Sequence, residues 1–103
     1  MRDAARKAVA FTRGRSRSDL DTDEQLMLAV VRLLEIIGEA AKHVTGETRR
    51  RDPQILWQQI AGTRDRLIHG YLDVNLDIVW QIVTHDLPSL IQALDRLLPP
   101  DRA

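Results

Sequence analysis

An all-α antiparallel bundle of four to five helices is the architecture this sequence predicts. Two observations lead there. Glycines and prolines sit almost entirely at the ends of apolar segments that recur with helical period, and nothing in the chain reads as a strand. The chain of 103 residues fits one domain, residues 1–103, with no repeat, low-complexity tract or linker dividing it. One modest core is all that such a length buries, and dimerisation would be a natural way to enlarge it.

The first element spans roughly Asp3 to Thr12, with Ala4, Ala8, Val9 and Phe11 on its apolar side. It gives way to the basic link Arg13-Gly14-Arg15-Ser16-Arg17-Ser18. Thr22 followed three residues later by Gln25 has the pattern of a capping box. Behind it Leu26, Val30, Leu33, Leu34, Ile37, Ala40, Ala41 and Val44 predict a long buried helix that ends near Gly46. Asp52-Pro53 reads as a cap and a helix-starting proline. The helix that follows, through Ile55, Leu56, Ile60, Ala61, Leu67 and Ile68, runs up to Gly70 and carries His69 to its terminus. After the polar link Asp73-Val74-Asn75, apolar residues from Ile78 to Leu98 predict a last helix, stopped by Pro99-Pro100. Pro88 lies inside it and is expected to kink or break it, because proline has no N–H for the helical ladder.

Composition excludes several chemistries. Lys plus Arg equals Asp plus Glu at 15 each, so no global field draws the chain to nucleic acid and any RNA site must be a local patch. The absence of cysteine removes disulfides, thiolate nucleophiles and cysteine-ligated zinc. No apolar run approaches the roughly 20 residues of a membrane span, and Met1-Arg2-Asp3 leads into no signal-peptide core, so a soluble, cytoplasmic protein is expected.

The stretch Arg64-Asp65-Arg66-Leu67-Ile68-His69-Gly70-Tyr71 gathers the groups needed to handle a phosphodiester without a metal. Arg64 offers a planar fork of donors for phosphate oxygens, His69 exchanges a proton near neutrality, and Tyr71 carries a hydroxyl open to modification. On one ideal helix Arg64 and His69 would point roughly 140° apart. They converge only if the helix ends or bends near His69-Gly70, or if two chains pair so that both copies line one groove. Structural roles also account for the residue types, and for a lone histidine such a role is the commoner one. His69 could hydrogen-bond free carbonyls at a helix end with Gly70 as the left-handed cap, and Arg64, set among Ile60, Leu67 and Ile68, could pair with Asp65, Glu35 or Glu39. Asp65 could orient the guanidinium or the imidazole, or be a surface carboxylate; Tyr71 could be a ring packed at a helix end.

Other candidates carry less. His43 and His85 stand at no metal-ligand spacing, so no metal site is expected. Arg49-Arg50-Arg51 with Arg13, Arg15 and Arg17 could supply a positive patch or be a solvated charge run. Trp57 and Trp80 read as core anchors rather than base-stacking platforms. Gly38, Ala40 and Ala41, among large aliphatics, permit a close approach of helices, in the core or across a dimer.

Two blocks carry a resemblance over nearly the whole length: Leu34-Glu35-Ile36-Ile37-Gly38-Glu39-Ala40-Ala41-Lys42, and Ile60-Ala61-Gly62-Thr63-Arg64-Asp65-Arg66-Leu67-Ile68-His69-Gly70-Tyr71 with Asp77-Ile78-Val79-Trp80 and Asp86-Leu87-Pro88. Together they resemble HepT-like toxins of the HEPN ribonuclease superfamily. The resemblance implies an all-α HEPN fold and a homodimer whose cleft cuts single-stranded RNA with neither metal nor cofactor. Arg64 would bind phosphate and stabilise its developing charge, His69 would act as general acid or base, and Asp65 would help to set the geometry. Tyr71 would receive AMP from a nucleotidyltransferase antitoxin, in a bacterial toxin–antitoxin pair. Two departures stand out: the amino-terminal helix is short for the family, and Asp65 replaces a common Asn and puts negative charge near the phosphate site. The rival expectations are a non-catalytic helical module that binds a partner, and a regulator that binds nucleotide in the same groove without cutting RNA.

Overall fold

The computed structural model describes residues 1–63, 68–70 and 73–97; for residues 68–70 and 73 it describes the backbone alone. Its frame is all-α. Helix α1 (Arg2–Thr12) buries a strip of alanines, Ala4, Ala5 and Ala8, whose short side chains let it lie close against α3 (Glu24–Lys42) and the carboxy-terminal helix. Arg2 and Arg6 both reach Asp95 on that last helix, at 3.5 and 2.7 Å, and tie the two ends of the chain together. Between α1 and α3, Gly14 takes a left-handed φ of 74°, which turns the chain into the four-residue helix α2 (Asp19–Thr22).

Helix α3 is the spine. Its buried face of Leu26, Val30, Val31, Leu34, Ile37, Gly38 and Ala41 follows the expected period, and Leu34 and Val30 are completely buried. The helix starts one residue later than the capping-box pattern suggests. Asp23, not Thr22, is the N-cap and accepts the Leu26 N–H at 3.1 Å, while the Thr22 hydroxyl turns back to the Ser18 carbonyl. Arg15 pairs with Asp23 at 2.7 Å and with Asp19 at 3.4 Å, and Arg17 bridges Asp21 and Asp77 at 3.1 and 2.7 Å.

The segment after α3 departs most from expectation. Thr45 caps a short α4 (Gly46–Arg51), and Asp52 ends that helix instead of starting the next. Pro53 to Ile55 form a turn, and α5 (Trp57–Ala61) begins only at Trp57, whose indole N–H donates to the Asp52 carbonyl at 3.3 Å. Gly62 then ends α5, so the helix does not reach His69. Ile68–Gly70 is extended and forms β1, paired antiparallel with β2 (Asp73–Val74). A small ladder thus sits inside a helical bundle, where the sequence pattern had suggested no strand at all.

Asn75 caps α6 (Leu76–Gln81) by accepting the N–H groups of Asp77 and Ile78 at 3.1 and 3.2 Å. Pro88 does not break the helix that follows. Ile82–Asp86 opens into a π turn in which the Leu87 N–H reaches back to the Ile82 carbonyl, and α7 (Leu87–Leu97) continues from it with Pro88 as its second residue. The wider turn absorbs the missing donor, and it keeps Ile82 and Leu87 together in the core at 4% and 2% exposure. On an unbroken α-helix two residues five positions apart would diverge by roughly 140°. Among the described residues, no helix is long and apolar enough to cross a membrane.

A close contact joins α3 to α5 at Gly38. A β-carbon there would stand 3.2 Å from the Ile60 carbonyl oxygen and 3.6 Å from Cβ of Thr63. Thr63 is itself only 4% exposed, with its hydroxyl donating to the Ile60 carbonyl at 2.6 Å. The added carbon would meet backbone that cannot rotate away, so α5 would have to shift. Gly38→Ala is therefore expected to lose about 1–3 kcal/mol, after the small gain in helix propensity, and chemical denaturation measures it. The Asp23 carboxyl is held below its ordinary range, first by the Leu26 N–H and then by Arg15. Its contribution is present above the ordinary carboxylate pKa and disappears as pH falls through the depressed folded value. Thermal melts of Asp23→Asn across pH 2–7 should show a shallower loss of stability on the acid side than the unmodified chain.

Candidate active site

Four residues carry the chemistry expected from the sequence, and three of them, Arg64, Asp65 and Tyr71, lie outside the described residues. What is described is the frame on both sides of them. On the amino-terminal side, Thr63 is pinned between Gly38 and the Ile60 carbonyl, so the peptide that enters Arg64 starts from a buried, hydrogen-bonded position. On the carboxy-terminal side stands the β1–β2 ladder.

His69 sits in the middle of β1, where the pairing is irregular. Ile68 is opposite Val74 and Gly70 is opposite Asp73, so three residues of β1 face two of β2 and His69 is the one without an opposite number. Such a bulge locally bends and twists the strand backbone, and bulges are over-represented beside active sites. The roughly 140° divergence computed for one continuous helix no longer applies, because the backbone at His69 is extended. The role of His69 as a capping residue at a helix terminus, which the residue types left open, goes with it.

Two of the three carboxylates weighed as partners of Arg64 have partners of their own, and the third, Asp65, lies outside the described residues. Glu35 pairs with Arg32 at 3.3 Å, and Glu39 with His43 at 3.3 Å and Lys42 at 3.8 Å. His43 is thus part of an exposed ion-pair cluster at the end of α3, and among the described residues no group of three or more His, Asp or Glu side chains could hold a metal. The arginine runs divide. Arg15 and Arg17 are consumed by carboxylates; the Arg17 guanidinium is held above its ordinary pKa, chiefly by its hydrogen bond to Asp77. Arg49 donates to the Ala41 carbonyl at 2.9 Å and closes the end of α3, while Arg50 and Arg51 are exposed. Trp57 is buried at 6% exposure and Trp80 is half-buried against the core, so both anchor the bundle.

Beside Thr63 opens a groove that the sequence did not signal. It has a volume of about 370 Å³ and runs between the Gln54–Thr63 segment and the π turn with α7, over a floor of Leu34 and Ile37. Its rim is polar, with Gln54 and Gln59 on one side and His85, Asp86, Ser89, Gln92 and Arg96 on the other. His85 and Asp86 reach it because the π turn carries them there. The only sequence signal of this arrangement is the proline at 88, which forces the widened turn.

Comparison with known proteins agrees with the resemblance. The family model described as ribonuclease HepT-like matches residues 1–97. A protein of Thermococcus cleftensis, provisionally named ribonuclease HepT, is 40% identical over 87 residues, which cover 84% of this chain and 79% of that protein. A Caldanaerobacter subterraneus protein provisionally named an RNase is 39% identical over 94 residues, 91% of this chain and 84% of its own length. A similarly named protein of Methanocaldococcus jannaschii is 33% identical over 90 residues, 87% of this chain and 74% of its own. No solved structure matches. The match spans both the Gly38 crossing and the Arg64–Tyr71 segment, and the chain belongs to the ribonuclease HepT-like family.

Proposed function

We propose that this chain, a ribonuclease by family, is a toxin that cuts single-stranded RNA without a metal in the cleft of a homodimer. The observation that carries the reading is the combination of the family match with the presence inside it of Arg64 and of His69 at a strand bulge. With no metal to activate water, the nucleophile at hand is the ribose 2′-hydroxyl next to the scissile phosphate. Its oxygen bonds to phosphorus as the bond to the 5′-oxygen of the next nucleotide breaks. A base takes the 2′ proton, an acid supplies one to the leaving oxygen, and the products are a 2′,3′-cyclic phosphate and a 5′-hydroxyl.

His69 suits either proton transfer, and a two-fold dimer supplies two copies, one for each end of the reaction. Arg64 holds the phosphate and meets the charge that grows on it, a task for a fixed cation with several donors. Asp65 helps to orient these groups. Tyr71, two residues after His69, is the regulatory position: its hydroxyl attacks the α-phosphate of ATP on a nucleotidyltransferase antitoxin, forms tyrosyl-AMP and releases pyrophosphate. The attached nucleotide blocks RNA by bulk and by negative charge.

Purified, mass-verified chain without AMP on Tyr71 is expected to cut single-stranded RNA in EDTA. Arg64→Ala and His69→Ala should each lower the rate by about 10²- to 10⁴-fold while remaining folded dimers by sedimentation. Cutting unaffected by both substitutions would overturn the assignment, and no cutting by the unmodified chain would favour a non-catalytic interaction module. Incubation with ATP and the antitoxin is expected to add the mass of AMP, an addition abolished in Tyr71→Phe.

A further inference from the structure

We infer that the groove beside Thr63 is a nucleobase subsite, which holds one base of the RNA strand next to the phosphate gripped at Arg64. The inference rests on the ribonuclease reading and adds to it where the substrate's sequence would be read. Position is the first argument. Thr63 lines the groove and is joined through one peptide bond to Arg64, so a strand whose phosphate is held by Arg64 has an adjoining nucleotide within reach of it.

Size and surface are the second. A volume of about 370 Å³ lies near the lower end of small-ligand sites, which suits one base with part of its ribose. Leu34 and Ile37, 0% and 2% exposed, back the groove from within the core, and Leu56 at its mouth is 62% exposed. That exposed aliphatic lip offers one face of a base an apolar surface to lie against.

Charge decides between a base and a phosphate. Among the described residues the rim holds one carboxylate, Asp86, which has an interaction of its own, and one guanidinium, Arg96, which already lies 3.9 Å from Asp52. A near-neutral rim is a poor seat for a phosphate. Gln59 on α5 and Gln92 on α7 both line the groove instead, and both are exposed. Each carries a donor pair and an acceptor, the complement of a base edge. No hydrogen bond among the described residues engages either amide or the His85 ring.

The test uses the full-length, non-cleaving His69→Ala chain, titrated with AMP, CMP, GMP and UMP and, as a base-free control, with ribose 5-phosphate. Shifts of the Gln59 and Gln92 side-chain amides and of the Ala93 methyl are followed by NMR. Saturable shifts that differ between the four nucleotides, are absent with ribose 5-phosphate and are lost in Gln92→Ala would support the subsite. In the cleaving chain, Gln59→Ala and Gln92→Ala should change the relative rates on RNAs that differ at one base beside the cut by about tenfold. Equal shifts with ribose 5-phosphate would overturn the proposal in favour of a phosphate site. Unchanged base preference with an altered sedimentation mass would overturn it in favour of a second copy covering the groove. Cleavage that persists with no nucleotide shifts would defeat the subsite and leave the ribonuclease reading intact. Base-dependent shifts in a chain that cuts no RNA would support the groove and defeat the ribonuclease reading.

Discussion

The approach of α3 to α5 at Gly38 is the contact on which the rest of this molecule depends. Helix α5 has only five residues, too few to hold its own position, so it takes its place from what it touches. It touches α3 through Gly38, where the Ile60 carbonyl comes close enough that a methyl group would crowd it, and it is anchored at its start by Trp57. The buried Thr63 continues the same contact to the threshold of Arg64. Two blocks of sequence that bear the family likeness, one around Gly38 and one from Ile60 onward, are thus two sides of a single crossing.

A second constraint acts from the other end of the chain. Pro88 withholds a backbone donor inside a helix that must stay continuous, because Val79, Ile82, Val83, Leu87, Leu90 and Leu94 on both sides of it belong to the same core. A π turn satisfies both demands. It also moves His85 and Asp86 to the rim of the groove beside Thr63, so a local remedy for proline shapes the neighbourhood of the candidate site.

The electrostatics follow a division of labour. Most arginines near the amino terminus are spent on the frame: Arg2 and Arg6 on Asp95, Arg15 on Asp19 and Asp23, Arg17 on Asp21 and Asp77. Exposed pairs of this kind contribute little individually, and their effect is to join α1 to α7 and the link between α1 and α3 to α6. A chain of zero net charge that uses its cations in this way has no broad positive field to offer a phosphate backbone.

By itself the sequence determined the all-α class, the long central helix with its buried face, and the first helix nearly to the residue. These are legible because helical periodicity and residue type are local properties. Tertiary structure decided the rest. The apolar residues from Ile55 to Ile68 fit one helical period, yet the chain divides the described ones, Ile55 to Ala61 and Ile68, among a turn, the short α5 and a strand, because the crossing at Gly38 and the ladder with Asp73–Val74 outweigh local preference. Caps moved by a residue at Asp23 and by a whole element at Asp52 for the same reason: a side chain caps whichever helix end the packing brings to it. Apart from Pro88 the groove had no signature in the chain, since its walls come from segments some thirty residues apart that only the folded core brings face to face.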